Sequence, residues 1–292
     1  YVMWVPAITG SGVSASVMAR SAEVITVVVS GAVSLPVVGS LVVDAAVAVA
    51  LWPVWAWSVE RFLDGSDEPW GVAAIAALAV LVWRDREAWC TAPRPAWLVA
   101  AAALACAAVV SEPLLPPLLR GVLASFAIVA TLAAIRSPHH PMLPLLVLAL
   151  LSLPILSSLQ FYLGYPLRVV TAEASAWILR GAGLAAARSG SALTVDGTLV
   201  IVDAPCAGLH MAWAAWFTAA VAAAWQRLDT RAFVVRLPIV GVLVLGANVL
   251  RNTVLVALES RAGGPMPADA NALWHDGTGL AAFTLIAARP VP

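Results

Sequence analysis

Lysine is absent from this 292-residue chain, and all sixteen basic residues are arginines. That excludes a P-loop lysine, Schiff-base chemistry and a Ser–Lys dyad. Charge of either sign is scarce: sixteen acidic residues balance the arginines, and charged residues make up only 11% of the chain. A soluble domain carries about 25%, so a soluble globule, a disordered chain and a nucleic-acid binder are all excluded. Cysteine is nearly absent too. Cys90, Cys106 and Cys206 are far apart, an odd and scattered set that matches neither a disulfide framework nor a metal site. No His-Glu-x-x-His or Gly-x-Ser-x-Gly motif occurs, and no internal repeat. The chain begins at Tyr1 instead of Met, without a signal-peptide cleavage pattern, as expected of a trimmed or partial sequence.

Apolar sequence fills the space left by charge. Hydrophobic residues make up 62%, and the mean hydropathy is +0.94. A spanning helix needs about 20 mostly apolar residues, so the chain has room for roughly eight. Apolar runs at 24–57, 71–83, 96–111, 121–135, 142–160, 207–225, 237–257 and 273–288 are the expected helices. The first is one tilted helix or two short ones broken near Pro36–Gly39. Thirteen tryptophans suit anchoring at headgroup depth. The fold class expected is an all-α polytopic membrane protein.

Arginine-rich short loops stay in the cytoplasm. Arg84, Arg86 and Arg94 mark one inside loop, Arg136 a second, and Arg227, Arg231 and Arg236 a third. The acidic stretch from Glu60 to Glu68 and segments 112–120, 161–206 and 258–272 then lie outside. Within 161–206, residues 166–189 read as an amphipathic surface helix with Arg168, Glu173 and Arg180 as polar positions. Residues 192–202 read as a β-hairpin turning at Asp196-Gly197, which hands the chain to Asp203-Ala-Pro-Cys206 at the membrane face. Two regions result: N-terminal transmembrane helices over 1–160, and 161–292 with the external segment and three further helices.

Three residues stand out chemically. Cys206 follows Pro205 and is expected to open the helix 207–225, where the helix dipole favours the nucleophilic thiolate. Arg251 lies inside an apolar helix, where a central arginine costs roughly 2.5–3.5 kcal/mol on insertion scales. Asn248 and Asn252 flank it at helical spacing and give that helix one polar face. His275, beside Asp276, starts the last helix on the outer side, where a neutral imidazole can act as a general base. Sidedness places all three at outer helix ends. A nucleophile, a cation for an oxyanion and a base are what acyl transfer at a cysteine requires. His210, four residues after Cys206, is an alternative base or a substrate contact, and the sequence does not rank the two histidines. Cys106 and Cys90 read as inert, and His139 and His140 as loop residues.

This ordered set resembles the exosortase/archaeosortase family. The resemblance is carried by Pro205-Cys206-Ala207-Gly208-Leu209, Asn248-Val-Leu-Arg251-Asn252, and His275-Asp276-Gly277 with Phe283, preceded by Tyr165-Pro166-Leu-Arg168. It covers roughly residues 160–288. It implies a membrane cysteine protease or transpeptidase, with the active site on the extracytoplasmic side of a bacterial or archaeal cytoplasmic membrane. The implied partners are exported proteins ending in a short motif such as Pro-Glu-Pro, a membrane helix and a basic tail. Cys206 would form a thioester, Arg251 would stabilise the oxyanion and His275 would exchange protons, with His210, Asn248 and Asp276 auxiliary and no cofactor or metal. Two positions depart from the family's usual Cys-Ser-Gly-Leu/Ile-Arg: Ala207 replaces the serine and His210 the arginine. That implies a branch with its own substrate motif. The competing class is a transporter or scaffold, in which Arg251 and Asp44 line a polar path; broken helices and repeated halves, common in transporters, are not evident.

Overall fold

A computed structural model describes residues 46–47, 49–65, 67–86, 93–137, 140–201 and 208–261. The expected break near Pro36–Gly39, the helix 273–288, and Asp44, Cys90, His139, Cys206, His275 and Asp276 lie outside the described residues. The described helices are α1 (Trp52–Leu63), α2 (Trp70–Arg84), α3 (Pro95–Val110), α4 (Pro117–Ile135), α5 (Leu143–Leu151), α6 (Leu156–Gly181), α7 (Leu209–Gln226) and α8 (Thr230–Arg261). Strands β1 (Ala186–Ser189), β2 (Ala192–Val195) and β3 (Thr198–Ile201) lie between α6 and α7. The chain divides into two compact units, residues 1–64 with 78–153, and 65–77 with 154–292.

In the first unit, small residues let helices approach closely. Ala102, Ala105 and Ala108 of α3 form one core with Ala124 and Ala127 of α4 and with Leu51 and Val54. A methyl group on Gly121 would come within 2.9 Å of the Leu153 side chain. Ser125 Oγ donates to the carbonyls of Gly121 at 3.0 Å and Ala149 at 3.1 Å, which ties α4 to α5. At the end of α4, Arg136 is buried and pairs with Asp85 at 2.6 Å. Arg84 holds the same carboxylate at 2.9 Å. Arg94 donates to the carbonyls of Ala133 and Arg136. The arginines expected in two separate inside loops therefore meet at one end of this unit.

In the second unit, α6 carries a three-stranded antiparallel sheet of order β1-β2-β3. Leu193, Val195 and Val200 pack against Ala172, Ala176 and Leu179 of α6 and Val256 of α8. The β2–β3 turn has positive φ at both Asp196 (49°) and Gly197 (86°), as a two-residue turn matched to strand twist requires. Asp196 Oδ1 also accepts from the Ala185 N–H at 3.0 Å.

Several boundaries differ from expectation. The run 142–160 is not continuous: α5 ends at Leu151, and Pro154, which has no N–H and disfavours a helical residue before it, precedes the start of α6. Residues 156–181 then form one helix with Pro166 inside it, instead of a span followed by a separate surface helix. That helix stops at Gly181, not at 189. Gly183 (φ 86°) sits in the left-handed region, and the Gly183 and Leu184 N–H groups close back on the carbonyls of Arg180 and Leu179. Residues 186–189 are thereby released to form β1.

The chain is a membrane protein by its helices. Two of them, Pro117–Ile135 and the stretch Thr230–Ser260, are long and apolar enough to cross a bilayer, and the pair α5–α6 makes a third if counted as one broken span. Helices α2 and α3, of 15 and 16 residues, fall short of spanning length, so among the described residues two or three spans are supported where the apolar runs suggested more. Helix α8 has the surface polarity of a water-soluble helix reversed. Val234, Val235, Ile239, Val242, Leu250 and Val254 are exposed, while Asn248, Arg251, Asn252 and Thr253 are buried. Lipid accepts the first set, and only protein partners can accommodate the second.

Candidate functional site

The polar face of α8 meets α6 and the start of α7. Asn248 Nδ2 donates to Thr171 Oγ1 at 3.2 Å, and one turn on Asn252 Nδ2 donates to Ser175 Oγ at 2.9 Å. Ser175 Oγ donates in turn to the Val249 carbonyl at 3.4 Å. Both pairs sit at i, i+4 on their helices, so the two rungs form a ladder between α6 and α8. Thr171 and Ser175 are fully buried. In the sequence they are only two hydroxyl residues four apart, and it is the packing that sets them opposite the two asparagines four apart.

Helix α7 begins at Leu209, two residues later than expected, because Gly208 is its N-cap in a left-handed conformation (φ 75°). Gly208 is required twice over. Its φ suits glycine, and a Cβ there would come within 2.9 Å of Asn248 Cγ and 3.1 Å of its Nδ2. The backbone at the start of α7 thus rests directly on Asn248. One turn along α8, buried Arg251 directs Nη1 to Met211 Sδ at 3.7 Å. Arg251 lies ten residues, about 15 Å along the helix, before Arg261, the last residue of α8.

His210 is turned toward the segment before α2. Its Nε2 lies 2.8 Å from Glu68 Oε1, and the Trp70 indole N–H donates to the other carboxylate oxygen. The Trp70 ring lies 6.0 Å from the imidazole and 5.3 Å from Trp213, which stacks on Phe217. Asp67 anchors this segment: its carboxylate accepts from the Ser157 hydroxyl at 2.9 Å and from the Ser157 N–H at 3.3 Å, against the positive end of α6. Glu68 and Trp70 were missed as site residues. Glu68 was visible only as the end of an acidic stretch, and nothing in sequence spacing ties it to a histidine 142 positions away.

On the exposed side of α6, Glu173 receives hydrogen bonds from Arg188 of β1 and from Trp177 at 2.7 Å.

The structure thus brings Asn248 and Arg251 against the first residues of α7 and pairs His210 with Glu68. Cys206, His275 and Asp276 lie outside the described residues. Among the described residues no group of three His, Cys, Asp or Glu side chains is placed to hold a metal ion.

The chain matches the transmembrane exosortase family over residues 57–290. No curated protein and no solved structure matches it. The match takes in α2 to α8 whole, with the reversed polarity of α8 and the buried arginine that faces the start of α7. On that match, most of its length, the chain belongs to the transmembrane exosortase family.

Proposed function

We propose that this protein is a thiol-dependent endopeptidase or transpeptidase of the exosortase type. It acts on exported proteins that end in a short motif, a membrane helix and a basic tail. One observation carries the reading: the N-terminus of α7, entered two residues after Cys206, rests on Asn248 and touches buried Arg251 through Met211. An arginine that costs several kcal/mol to bury is thereby held against the first turn of the helix that follows Cys206 in the sequence.

In this reading residues 161–292 form the catalytic region and 1–160 the membrane anchor. The site opens on the extracytoplasmic face of a prokaryotic cytoplasmic membrane. The meeting of Glu68 with His210, both assigned to the outside by arginine placement, supports that sidedness, as does the cluster of Arg84, Arg94 and Arg136. Cys206 gives its thiol proton to His275 and its Sγ attacks the scissile carbonyl as the thiolate, and Arg251 stabilises the resulting oxyanion. His275 protonates the leaving amine as the C–N bond breaks, which leaves a thioester on Cys206. Water or an acceptor amine then gives a proton to His275 and displaces the thiolate. Asn248 holds the start of α7 in place, and Asp276 orients His275.

The test is processing, in cells, of an exported protein from the same genome with such a C-terminal signal, at matched enzyme levels. Cys206→Ala is expected to leave the substrate full length. Arg251→Ala is expected to slow processing about 10²–10³-fold, the usual cost of removing an oxyanion donor. Full processing by Cys206→Ala overturns the thiol assignment.

A further inference from the structure

We propose that the outer edge of β3 receives the substrate: the extended stretch that precedes the membrane helix of an exported protein adds to it as a fourth strand. The inference deepens the proposed function and rests on it, since the occupant is the segment that such an endopeptidase cuts. Strand register fixes what the edge offers. β2 and β3 pair Val195 with Thr198, Thr194 with Leu199, Leu193 with Val200 and Ala192 with Ile201. Across the two-residue turn Val195 and Thr198 form a hydrogen-bonded pair, and bonded and non-bonded pairs alternate from there. Thr198 and Val200 therefore direct their N–H and C=O groups to β2, while Leu199 and Ile201 turn theirs outward. Among the described residues none bonds the outward backbone groups of Leu199, which is 64% exposed.

The two edges of the sheet are unlike. On β1, Arg188 is held by Glu173 of α6, and the Ala186 N–H turns back to the Leu184 carbonyl at 3.0 Å. A charged residue on an edge is a usual guard against strand addition. β3 reads Thr-Leu-Val-Ile and pairs without a bulge, so it carries no charge, proline or bulge to repel another strand. Its place in the fold is the second argument. The inner face of the sheet packs on α6 and on Val256 of α8. Val256 continues the i, i+4 stripe of Asn248 and Asn252, five residues and about 7.5 Å along the helix past Arg251. An added strand would turn alternate side chains to that same side of the sheet. The chemistry of the reaction names the occupant. A peptide bond inside a membrane helix is closed to attack, so the cleaved stretch must be extended, and its freed N–H and C=O groups need partners beside the bilayer. Leu199 and Ile201 supply donors and acceptors at the spacing of an extended chain. Such main-chain bonds give affinity, and the alternate side chains give selectivity.

The experiment is disulfide trapping in membranes, with the full-length protein carrying Cys90→Ser, Cys106→Ala and Cys206→Ala and a reporter at Leu199→Cys. The probe is an exported protein from the same genome with the C-terminal signal, bearing single cysteines placed one at a time through the stretch before its membrane helix. Oxidation is expected to trap alternate positions, the period of a strand, and to trap little with the reporter at Ala187→Cys on the far edge. In the protein with Cys206 intact, Leu199→Pro removes an outward N–H and leaves the β2–β3 ladder whole. It is expected to slow processing about tenfold, the scale of one hydrogen bond, with Leu199→Ala near the parent rate. Trapping at every position, at a helical period or at none overturns the inference. A disulfide-linked dimer of the protein itself also overturns it, by giving the edge to a second copy, as do equal rates for Leu199→Pro and Leu199→Ala. If trapping fails while Cys206→Ala abolishes processing, the inference falls and the catalytic reading stands. If Cys206→Ala still processes substrate while alternate positions are trapped, the thiol assignment falls and the strand addition stands.

Discussion

Gly208 is the residue on which the site turns. It combines a left-handed backbone with a contact that leaves no room for a Cβ against Asn248. Gly208→Ala is therefore expected to cost about 1–2 kcal/mol in backbone strain alone, and more once Asn248 is displaced. Thermal unfolding of the purified protein in detergent measures the first cost, and the processing rate measures loss of alignment at Cys206. Arg251 makes a second residue-scale prediction. Lysine keeps the charge but not the planar fork, so Arg251→Lys is expected to resemble Arg251→Ala in processing rate, with both variants inserted and folded. Of the residues picked from sequence, Arg251 and Asn248 were legible because a polar group in an apolar helix is costly and needs a reason. Their partners Thr171, Ser175 and Met211 were not, because a hydroxyl or thioether is common in any helix and only packing shows which one faces an asparagine or an arginine.

At the scale of elements, the ladder between α6 and α8 sets where the buried arginine sits. Asn252→Ala, Ser175→Ala and the double variant form a cycle that isolates one rung. Its coupling is expected at about 0.6 kcal/mol, the usual worth of a hydrogen bond between membrane helices, read from unfolding midpoints in mixed micelles. A larger cost falls on the buried pair in the other unit. Asp85→Ala leaves Arg136 without its carboxylate and is expected to destabilise by about 3–5 kcal/mol. Periodicity and proline placement marked most helices to within a few residues. They failed at 152–189, where Pro154 ended a helix that hydropathy ran through, Pro166 did not end one, and Gly183 released four residues to a strand. A proline's effect depends on whether neighbouring helices can satisfy the freed carbonyl, and a local reading does not contain that. The Asp196-Gly197 turn needed no such context, because its residue types state the backbone they adopt.

For the whole molecule, composition alone indicated a membrane, since 62% hydrophobic and 11% charged residues leave no water-soluble alternative. Helix α8 shows why at atomic detail, with valines and leucines outward and asparagines and arginine inward. Sidedness is open to direct test with a membrane-impermeant thiol reagent on intact cells, in a background of Cys90→Ser, Cys106→Ala and Cys206→Ala. Ser191→Cys, in the turn between β1 and β2, is expected to label from outside, and Ser137→Cys, beside the Arg136 cluster, only after lysis. The reverse pattern would invert the molecule. The central claim, however, is the chemistry at Cys206, and hydroxylamine tests it most directly. Added during processing of an exported substrate, hydroxylamine competes with water or an amine for a thioester. Mass analysis of the product is expected to show a C-terminal hydroxamate, growing with hydroxylamine concentration and absent with Cys206→Ala. A product that keeps its ordinary C-terminus at every hydroxylamine concentration, and that still forms with Cys206→Ala, would contradict the account.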